Sequence, residues 1–168
     1  EHFTPDSTLV AEVDGRIIGY GVSHPLPEKS AQGYNKIFAA ALTGQDRDKV
    51  LARYQERFAT VEFYDDEIRA ALGVTGFQAS PNIMWFQEIN VSGEYRRQGI
   101  GKKIAKVIMD KDRQTGAPAI FVGCLEDSGS EQLYQKLGFF RIGRFKPIFN
   151  DGRGQIVMGY LFDSSIEQ

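Results

Sequence analysis

The start of the chain carries two short runs of apolar and β-branched residues. These runs cover residues 8–13 (T-L-V-A-E-V) and 16–23 (R-I-I-G-Y-G-V-S), and the pair D-G at 14–15 separates them. Glycine adopts the positive φ of a tight primed turn, so Asp-Gly between two apolar runs is a strong hairpin signal. The sequence therefore predicts a β-hairpin. The segment 24–27 (H-P-L-P) should end it, because proline has no donor for a sheet ladder.

From about residue 32 to residue 73 the pattern becomes helical. The segment 34–42 is rich in alanine, and Asp46 is a candidate N-cap for a second helix. That second helix would carry apolar residues at spacings of four: Val50, Tyr54 and Phe58. A third helix is expected over about 63–72, closed by Gly73 as its C-cap.

A strand, an amphipathic helix and a second strand follow in the centre of the chain. Residues 83–91 (I-M-W-F-Q-E-I-N-V) are rich in aromatic and β-branched side chains, which favours a strand. After Gly99 one helix face is apolar: Ile100, Ile104, Val107 and Ile108. The opposite face is charged: Lys102, Lys103, Lys106, Asp110 and Lys111. Residues 119–125 (A-I-F-V-G-C-L) are continuously apolar, as expected for a strand buried on both faces.

The last part of the chain predicts a shorter helix at about 129–137 and strands at about 139–149 and 155–162. The element order is then β-β, helices, β-α-β-α-β-β. This order indicates an α/β fold, an α+β sandwich in one domain over residues 1–168. The central β-α-β unit is the expected place for its chemistry.

Composition places the chain among ordinary globular proteins, with 42% hydrophobic and 25% charged residues. A net charge of −2 and a pI near 5.7 give no basic excess, so neither nucleic acid nor a membrane is an expected partner. No apolar run approaches the roughly 18 residues of a spanning helix, and no signal-peptide pattern begins the chain, which predicts a cytoplasmic location. The single Cys124 excludes an intramolecular disulfide.

The sharpest local signal is the segment 96–101 (R-R-Q-G-I-G), between the strand at 83–91 and the amphipathic helix. Glycines at a helix start let the backbone approach an anion, and the first-turn amides lack intrahelical partners. The helix dipole adds about half a positive charge there. Basic side chains surround the same point: Arg96, Arg97, Lys102 and Lys103. The segment is suited to a pyrophosphate.

Other glycine-rich patterns fit this segment less well. A Rossmann dinucleotide site requires a third glycine where Ile104 stands. A Walker P-loop requires glycine where Arg96 stands, and Ser or Thr where Lys103 stands. A glycine-rich turn before a solvated basic helix face stays open on spacing alone, because two glycines are a weak signal.

Arg/Gln-x-x-Gly-x-Gly/Ala between a strand and a helix resembles the acetyl-CoA pyrophosphate motif of the GNAT superfamily of N-acetyltransferases. Arg96, Gly99 and Gly101 fill its defining positions. Further along, the segment 133–139 (L-Y-Q-K-L-G-F) resembles the second signature of that family, a Tyr on a short helix before Gly-Phe. The two signatures together are far more specific than either alone. The resemblance covers residues 8–162 outside the helical segment.

The resemblance implies the GNAT fold. This is a mixed, mostly antiparallel sheet with a central splayed parallel strand pair and helices on both faces, here with a helical insertion at about 32–73. It further implies that backbone amides from Gln98 to Lys103 hold the pyrophosphate, while the strand end near Ile89 and Val91 pairs with the pantetheine arm. The implied cofactor-binding residues are Ile89, Val91, Arg96, Arg97, Gln98, Gly99, Ile100, Gly101, Lys102, Lys103 and Ser128.

The chemistry that the resemblance implies is direct attack by an amine on a thioester. It needs an acid for the departing thiolate and a base to deliver the amine neutral. Tyr134 matches the general acid of the family, its alternative being an ordinary amphipathic tyrosine. Glu88 is the candidate base, directly or through water. Its alternative is an exposed strand residue in a surface ion pair.

Other residues carry weaker signals. His24 is either part of a substrate cleft or a solvated loop residue. The acidic residues within 62–67 could attract a cationic amine, although they also suit a helix N-terminus. Cys124 and Trp85 are expected in the core.

Two features depart from the family pattern. GNAT domains usually begin with a strand and two helices before the hairpin, whereas this chain starts at Glu1 and reaches the hairpin by residue 8. Either an N-terminal segment is missing or the helices of 32–73 cap the acceptor cleft instead. Many members also carry an Asn after the fifth strand, where this chain offers Ser128 or Ser130.

The predicted function is N-acetyl transfer from acetyl-CoA to a primary amine, with a small molecule as the favoured acceptor and no metal. Two alternatives stay open. One is an acyl-CoA-binding sensor module without transfer, and the other is a protein or peptide N-acetyltransferase. Homodimers are common in the family, so a homodimer is the oligomer to test for.

Overall fold

The computed structural model describes residues 7–43, 61–75, 79–145 and 152–162. The strands are β1 (Thr8–Val13), β2 (Arg16–Pro25), β3 (Val61–Phe63), β4 (Met84–Val91), β5 (Ala119–Leu125), β6 (Phe140–Phe145) and β7 (Gln155–Leu161). The helices are α1 (Glu28–Thr43), α2 (Asp65–Thr75), α3 (Ile100–Gln114) and α4 (Gly129–Lys136). A short 3-10 helix, Gly93–Tyr95, connects β4 to the turn before α3. None of the helices in these ranges is long and apolar enough to cross a membrane.

Hydrogen bonding orders the seven strands as β1-β2-β4-β5-β7-β6-β3. Neighbouring strands are antiparallel except for β4 and β5, which run parallel. The parallel ladder is short, because it joins only residues 84–86 of β4 to residues 120–122 of β5. Beyond Phe86, β4 continues to Val91 without pairing to β5. The predicted mixed sheet with a splayed parallel pair is confirmed.

Helices cover both faces of the sheet, and each face has its own hydrophobic cluster. On one face, α3 and α4 bury Ile104 and Tyr134 against β4, β5 and β7. On the other, α1 and α2 bury Phe38 and Ile68. Phe38 meets Phe121 of β5 edge to face, with ring centroids 5.7 Å apart and an interplanar angle of 70°. The predicted helices on both faces are therefore present.

Helix α3 lies directly on β2 because β2 has no side chain in its path. A Cβ on Gly21 would lie 2.5 Å from Cδ1 of Ile108 and 2.8 Å from Cγ2 of Ile104. Two residues further along the same face, the Ser23 hydroxyl donates to the buried Asp112 carboxylate at 2.5 Å. Burial raises the pKa of Asp112, which the Ser23 hydrogen bond partly offsets. An apolar contact and a buried polar contact thus fix α3 on the hairpin.

The first helix of the predicted insertion at 32–73 begins earlier than the pattern indicates. The carbonyl of Pro27 accepts the amide of Ala31 at 3.0 Å, which opens α1 directly after the proline. Proline is well tolerated at a helix start, since its missing N–H is not needed there. The helix predicted from Asp46 lies outside the described residues.

The second half of the insertion differs from its prediction in two ways. Helix α2 continues past Gly73, whose φ is not positive and whose surroundings are open, so this glycine acts as a helical residue and not as a cap. The sequence also predicts no strand at β3. Val61 and Phe63 nevertheless pair with β6 and pack on the α1-side core. A strand of three residues is too short to show an alternating pattern.

A polar cluster joins the end of β5 to β6 and β7. Both carboxylate oxygens of Glu126 accept from Arg144, at 2.6 and 2.8 Å, and one also accepts the amide of Gly154 at 3.0 Å. The hydrogen bonds from Arg144, and then that from the Gly154 amide, lower the pKa of Glu126 to about 2. Bidentate Arg–carboxylate pairs of this kind combine charge with fixed geometry.

This cluster predicts acid-sensitive stability. Glu126 binds its proton more weakly in the folded chain than in the unfolded chain, so its contribution is present above the ordinary value of 4.5 and is lost as pH falls towards about 2. Glu126→Gln should lower the free energy of unfolding at neutral pH and flatten its decline in acid, as measured by urea denaturation. Asp66→Asn, at a carboxylate that is 97% exposed, is the matched control and should change little. Equal acid dependence in wild type and Glu126→Gln would contradict the assignment.

Candidate functional site

The short ladder between β4 and β5 leaves a gap in the sheet after its last pair, Phe86 and Val122, and a cavity opens on each face. The α3-side cavity, about 570 Å³, is lined by Ile89, Asn90, Val91, Tyr95, Arg96, Arg97, Gly99, Ile100, Gly101, Lys102, Gly129, Ser130, Gln132, Leu133 and Lys136. The α1-side cavity, about 380 Å³, is lined by His24, Leu26, Pro27, Tyr34, Trp85, Gln87, Phe145, Gln155 and Val157.

A bulge in β4 sets which side chains face each cavity. The register with β2 shifts so that Phe86 and Glu88 have direct partners and Gln87 between them has none. Such a bulge re-aims the side chains that follow it. Ile89 and Val91 consequently pack with the α3-side cluster, which places Glu88 on the opposite face.

The turn before α3 presents backbone donors to the α3-side cavity. Arg97 and Gly99 both have left-handed backbone conformations, with φ of +63° and +79°. The amide of Lys103 donates to the carbonyl of Gly99 at 3.0 Å, which closes the first turn of the helix. The amides of residues 100–102 precede that bond and have no intrahelical acceptor. The amide of Lys103 is thus already bonded within the helix, and its contact with a pyrophosphate stays a prediction.

Positive charge surrounds these free amides. The cationic side chains that line the α3-side cavity are Arg96, Arg97, Lys102 and Lys136. Arg96 is oriented by a hydrogen bond from its Nε to the carbonyl of Val91 at 2.9 Å. None of the described residues that line this cavity is acidic. Free amides at a helix N-terminus with several cations beside them form a site for a polyanion.

Most of the cofactor-binding residues predicted from sequence lie in this cavity: Ile89, Val91, Arg96, Arg97, Gly99, Ile100, Gly101 and Lys102. Gln98, Lys103 and Ser128 are not among its lining residues. The side chain of Gln98 donates to the carbonyl of Glu94 at 3.1 Å. Ser128 is the N-cap of α4, where its hydroxyl accepts the amide of Glu131 at 3.2 Å. Binding by these three residues stays a prediction.

Helix α4, on which the sequence predicts Tyr134 as the acid, forms the far wall of the α3-side cavity. The α4 residues in the wall are Gly129, Ser130, Gln132, Leu133 and Lys136. Their spacing of three and four puts them on one side of a helix. That spacing is visible in the sequence, but only the fold shows that the side faces the turn before α3.

Tyr134 lies on α4 beside the start of the gap. Its ring contacts Phe86, the last paired residue of β4, with centroids 5.9 Å apart, and Phe139 at 5.3 Å. Only 2% of the residue is exposed. Burial, together with the neighbouring Cys124 thiol, raises the pKa of the Tyr134 phenol above its ordinary value. A raised pKa keeps the phenol protonated at neutral pH, which is the state that a general acid starts from.

Glu88 lies just beyond the bulge on the α1 face. Its Oε1 accepts a hydrogen bond from the Tyr20 hydroxyl of β2 at 2.8 Å, and this bond raises the pKa of the Tyr20 phenol. The carboxylate is exposed, and its partner is a neutral phenol rather than a cation. The surface ion pair considered from sequence is thus replaced by a hydrogen bond, and Glu88 remains available as a proton acceptor.

The α1-side cavity combines aromatic walls with connected polar groups. Trp85 Nε1 donates to Oε1 of Gln87 at 3.0 Å, and His24 Nε2 lies 3.3 Å from the same oxygen. His24 Nδ1 lies 3.0 Å from the carbonyl of Pro25. The sequence leaves His24 either in a cleft or in a solvated loop. The structure places it in the α1-side cavity. Trp85, expected in the core, is half-buried and forms a cavity wall.

Gly123 of β5 lies against two side chains that line the α1-side cavity, Gln155 and Trp85. A Cβ at this position would lie 2.6 Å from Nε2 of Gln155 and 3.4 Å from Cζ2 of Trp85. The missing side chain lets both groups lie over β5 directly after its last pair with β4. Neither Gln155 nor Gly123 carries a sequence signal, because their roles depend on strand register.

Other candidates from sequence have structural roles. Cys124 is buried beside Met158, and burial raises the pKa of its thiol to about 12, which leaves little thiolate at neutral pH. Glu67, in the first turn of α2, binds the side chain and the amide of Arg141. Among the described residues, no group of three His, Cys, Asp or Glu side chains could hold a metal ion.

Known structures share this architecture. A polyamine N-acetyltransferase from Drosophila melanogaster superposes with a TM-score of 0.59 at 15% identity, over 93% of this chain and 75% of that one. A ribosomal-protein-alanine N-acetyltransferase from Brucella melitensis gives 0.56 at 15%, over 92% and 68%. A Bacillus anthracis protein in complex with acetyl coenzyme A gives 0.55 at 13%, over 92% and 61%. At these identities the similarity shows the fold alone.

Sequence comparison gives the family. No match was found among curated proteins. The model of the acetyltransferase (GNAT) family matches residues 34–139, which is well over half of the 168 residues and includes both signatures and the gap between β4 and β5. The chain belongs to the GNAT family of acetyltransferases.

Proposed function

We propose that this acyltransferase moves an acetyl group from acetyl-CoA to the primary amine of a small molecule by direct attack. The observation that carries the proposal is the gap between β4 and β5 with a cavity on each face of the sheet. The donor enters from the α3 side and the acceptor from the α1 side. The two reactants then meet in the gap, where their reacting atoms are held together and oriented.

The α3-side cavity suits the donor in charge and shape. The free amides of residues 100–102 and the cations around them match a pyrophosphate. Beyond Phe86 the backbone of β4 has no partner in β5, so its amides and carbonyls can pair with the amides of a pantetheine arm. This strand leads from the pyrophosphate site to the gap, which is the path that the thioester must follow.

In the transfer step the amine nitrogen forms a bond to the thioester carbonyl carbon, and the carbon–sulfur bond breaks. The departing thiolate takes the phenolic proton of Tyr134, which lies beside Phe86 at the start of the gap. The proton lost by the amine passes to Glu88, directly or through water, from the α1 face. The acid and the base therefore act from opposite faces of the sheet.

A sensor that binds acyl-CoA without transfer would need the donor site alone. The α1-side cavity beside the gap, with Glu88 on the same face, supports an enzyme instead. A peptide acceptor would favour an open groove. The α1-side cavity has walls from both α1 and β7, which suits a small molecule better.

Larger side chains at position 101 test the donor site. A Cβ there would stand at ordinary contact distances of 3.7 to 3.9 Å from Val91, Ile89 and Leu133, so Gly101→Ala should fold normally and keep binding acetyl-CoA. Gly101→Val should weaken binding by about tenfold or more, because its extra methyl groups enter the cavity over the free amides. Calorimetry with acetyl-CoA measures both variants. Tight binding by Gly101→Val would place the donor elsewhere.

The acid is tested by Tyr134→Phe. Removal of the phenolic proton should lower kcat by about 10²-fold or more while the dissociation constant for acetyl-CoA stays nearly unchanged. Tyr160→Phe is the matched control, because Tyr160 packs against Phe139 and Phe162 away from the gap. Thiol release measured with saturating acetyl-CoA gives the rates. An unchanged kcat in Tyr134→Phe would remove this residue from the mechanism.

The base is tested by the pH dependence of Glu88→Gln. The variant should lose about 10²-fold in kcat/KM for the amine at neutral pH. The loss should shrink as pH rises towards the pKa of the amine, because more amine then arrives already neutral. Glu12→Gln, an equal loss of charge on exposed β1, should behave as wild type. A loss in Glu88→Gln that is constant with pH would indicate a structural role.

A further inference from the structure

The residues that line the α1-side cavity indicate which amines it binds, whereas membership of the GNAT family does not. Its walls contain three aromatic side chains, from Tyr34 of α1, Trp85 of β4 and Phe145 of β6. Leu26 and Val157 add aliphatic surface. Because these residues come from separate elements, they enclose the space from several sides. The cavity thus combines aromatic and aliphatic walls with the uncharged polar side chains of Gln87 and Gln155.

The aromatic walls are held rigidly. One edge of the Trp85 indole makes both contacts: Nε1 donates to Gln87, and Cζ2 lies 3.4 Å from where a Cβ on Gly123 would stand. Tyr34 packs edge to face on Phe121, with centroids 4.9 Å apart at 73°. Rings that are already in place lose little conformational freedom when a ligand binds between them.

The charge of the lining argues against a polycation. None of the described residues that line the α1-side cavity carries a carboxylate. Two carboxylates lie outside this lining: Glu126 is paired with Arg144, and Glu88 is assigned to the reacting amine. A second ammonium group on the acceptor would meet no carboxylate among the described lining residues, which is unfavourable. A cation–π contact offsets only part of that cost.

We propose that the α1-side cavity binds primary amines that carry one flat aromatic body and a single positive charge. The ring lies between Trp85 and Tyr34, and the amine nitrogen reaches the gap beside Glu88. The polar group shared by His24 and Gln87 forms the rim where the ring meets the amine. This inference rests on the acetyl transfer proposed above, since it names the acceptor class of the same site.

The cavity contains its own probe, because Trp85 is the single tryptophan of the chain. We would titrate the protein with 2-phenylethylamine, with n-hexylamine, which has one charge and no ring, and with spermidine, which has three charges. Trp85 emission should change saturably with 2-phenylethylamine, at a concentration about tenfold lower than with either of the other amines. Binding of spermidine as tight as that of 2-phenylethylamine, or no response to 2-phenylethylamine, would overturn the inference.

The rates of acetyl transfer distinguish the inferred class of acceptor from the proposed acetyl transfer itself. With acetyl-CoA, kcat/KM for 2-phenylethylamine should exceed that for spermidine by about tenfold. Transfer to all three amines without preference would contradict the inferred class of acceptor and would still support acetyl transfer. Saturable binding of 2-phenylethylamine with no transfer to any amine would contradict acetyl transfer and would still support the inferred class of ligand.

Trp85→Leu tests the wall itself. It should abolish the preference for 2-phenylethylamine over n-hexylamine while calorimetry shows unchanged acetyl-CoA binding, which also confirms folding. Phe162→Leu is the control, because Phe162 packs against Tyr160 outside the α1-side cavity and should keep the preference. An unchanged preference in Trp85→Leu would contradict the assigned wall. Should Trp85→Leu fail to fold, the wild-type titration still decides.

Discussion

The parallel ladder between β4 and β5 ends after three pairs, and the site depends on that early end. Two parallel strands in the middle of a sheet would ordinarily continue to pair, because unpaired backbone groups are unfavourable once buried. Here β4 leaves the ladder at a bulge, and β5 carries a glycine directly after its last pair. The bulge redirects β4, while the glycine admits the side chains of Trp85 and Gln155 over β5. Backbone groups of β4 are thereby left for a ligand to satisfy.

The rest of the fold holds the two strands on either side of this gap. Strand β4 belongs to the unit formed with the hairpin and α3, where Gly21 and the contact between Ser23 and Asp112 seat the helix. Strand β5 belongs to the unit formed with β7 and β6, where Glu126 and Arg144 join the strand ends. Each strand is anchored on its outer side, so the gap persists without direct contact across it. A rigid opening of this kind suits a site that must position two reactants.

Most residues that the sequence predicts for the donor lie around one cavity, because their signals are contiguous in the chain. Six adjacent residues carry the turn before α3, and a separate short segment carries Tyr134. Which amides are unbonded depends on which residue opens the helix, and boundaries are the least certain part of such predictions. The α1-side cavity could not be predicted in this way. His24, Tyr34 and Gln155 come from β2, α1 and β7, and only the strand register and the helix packing bring them together.

The difference between the donor side and the α1-side cavity in how far the sequence predicts them has a physical origin. In the proposed reaction the donor is held largely by backbone amides at a helix start, and almost any sequence with the right glycines can supply those. The proposed acceptor would be selected by side chains, and one wall of the α1-side cavity comes from Tyr34 on the helical segment that lies between the hairpin and β4. That segment packs on the face opposite α3, so its residues can differ without altering the turn that binds the donor. In the proposed reaction the fold therefore separates binding of the pyrophosphate from selection of the amine, and α1 and β4 both contribute walls to the cavity that selects it.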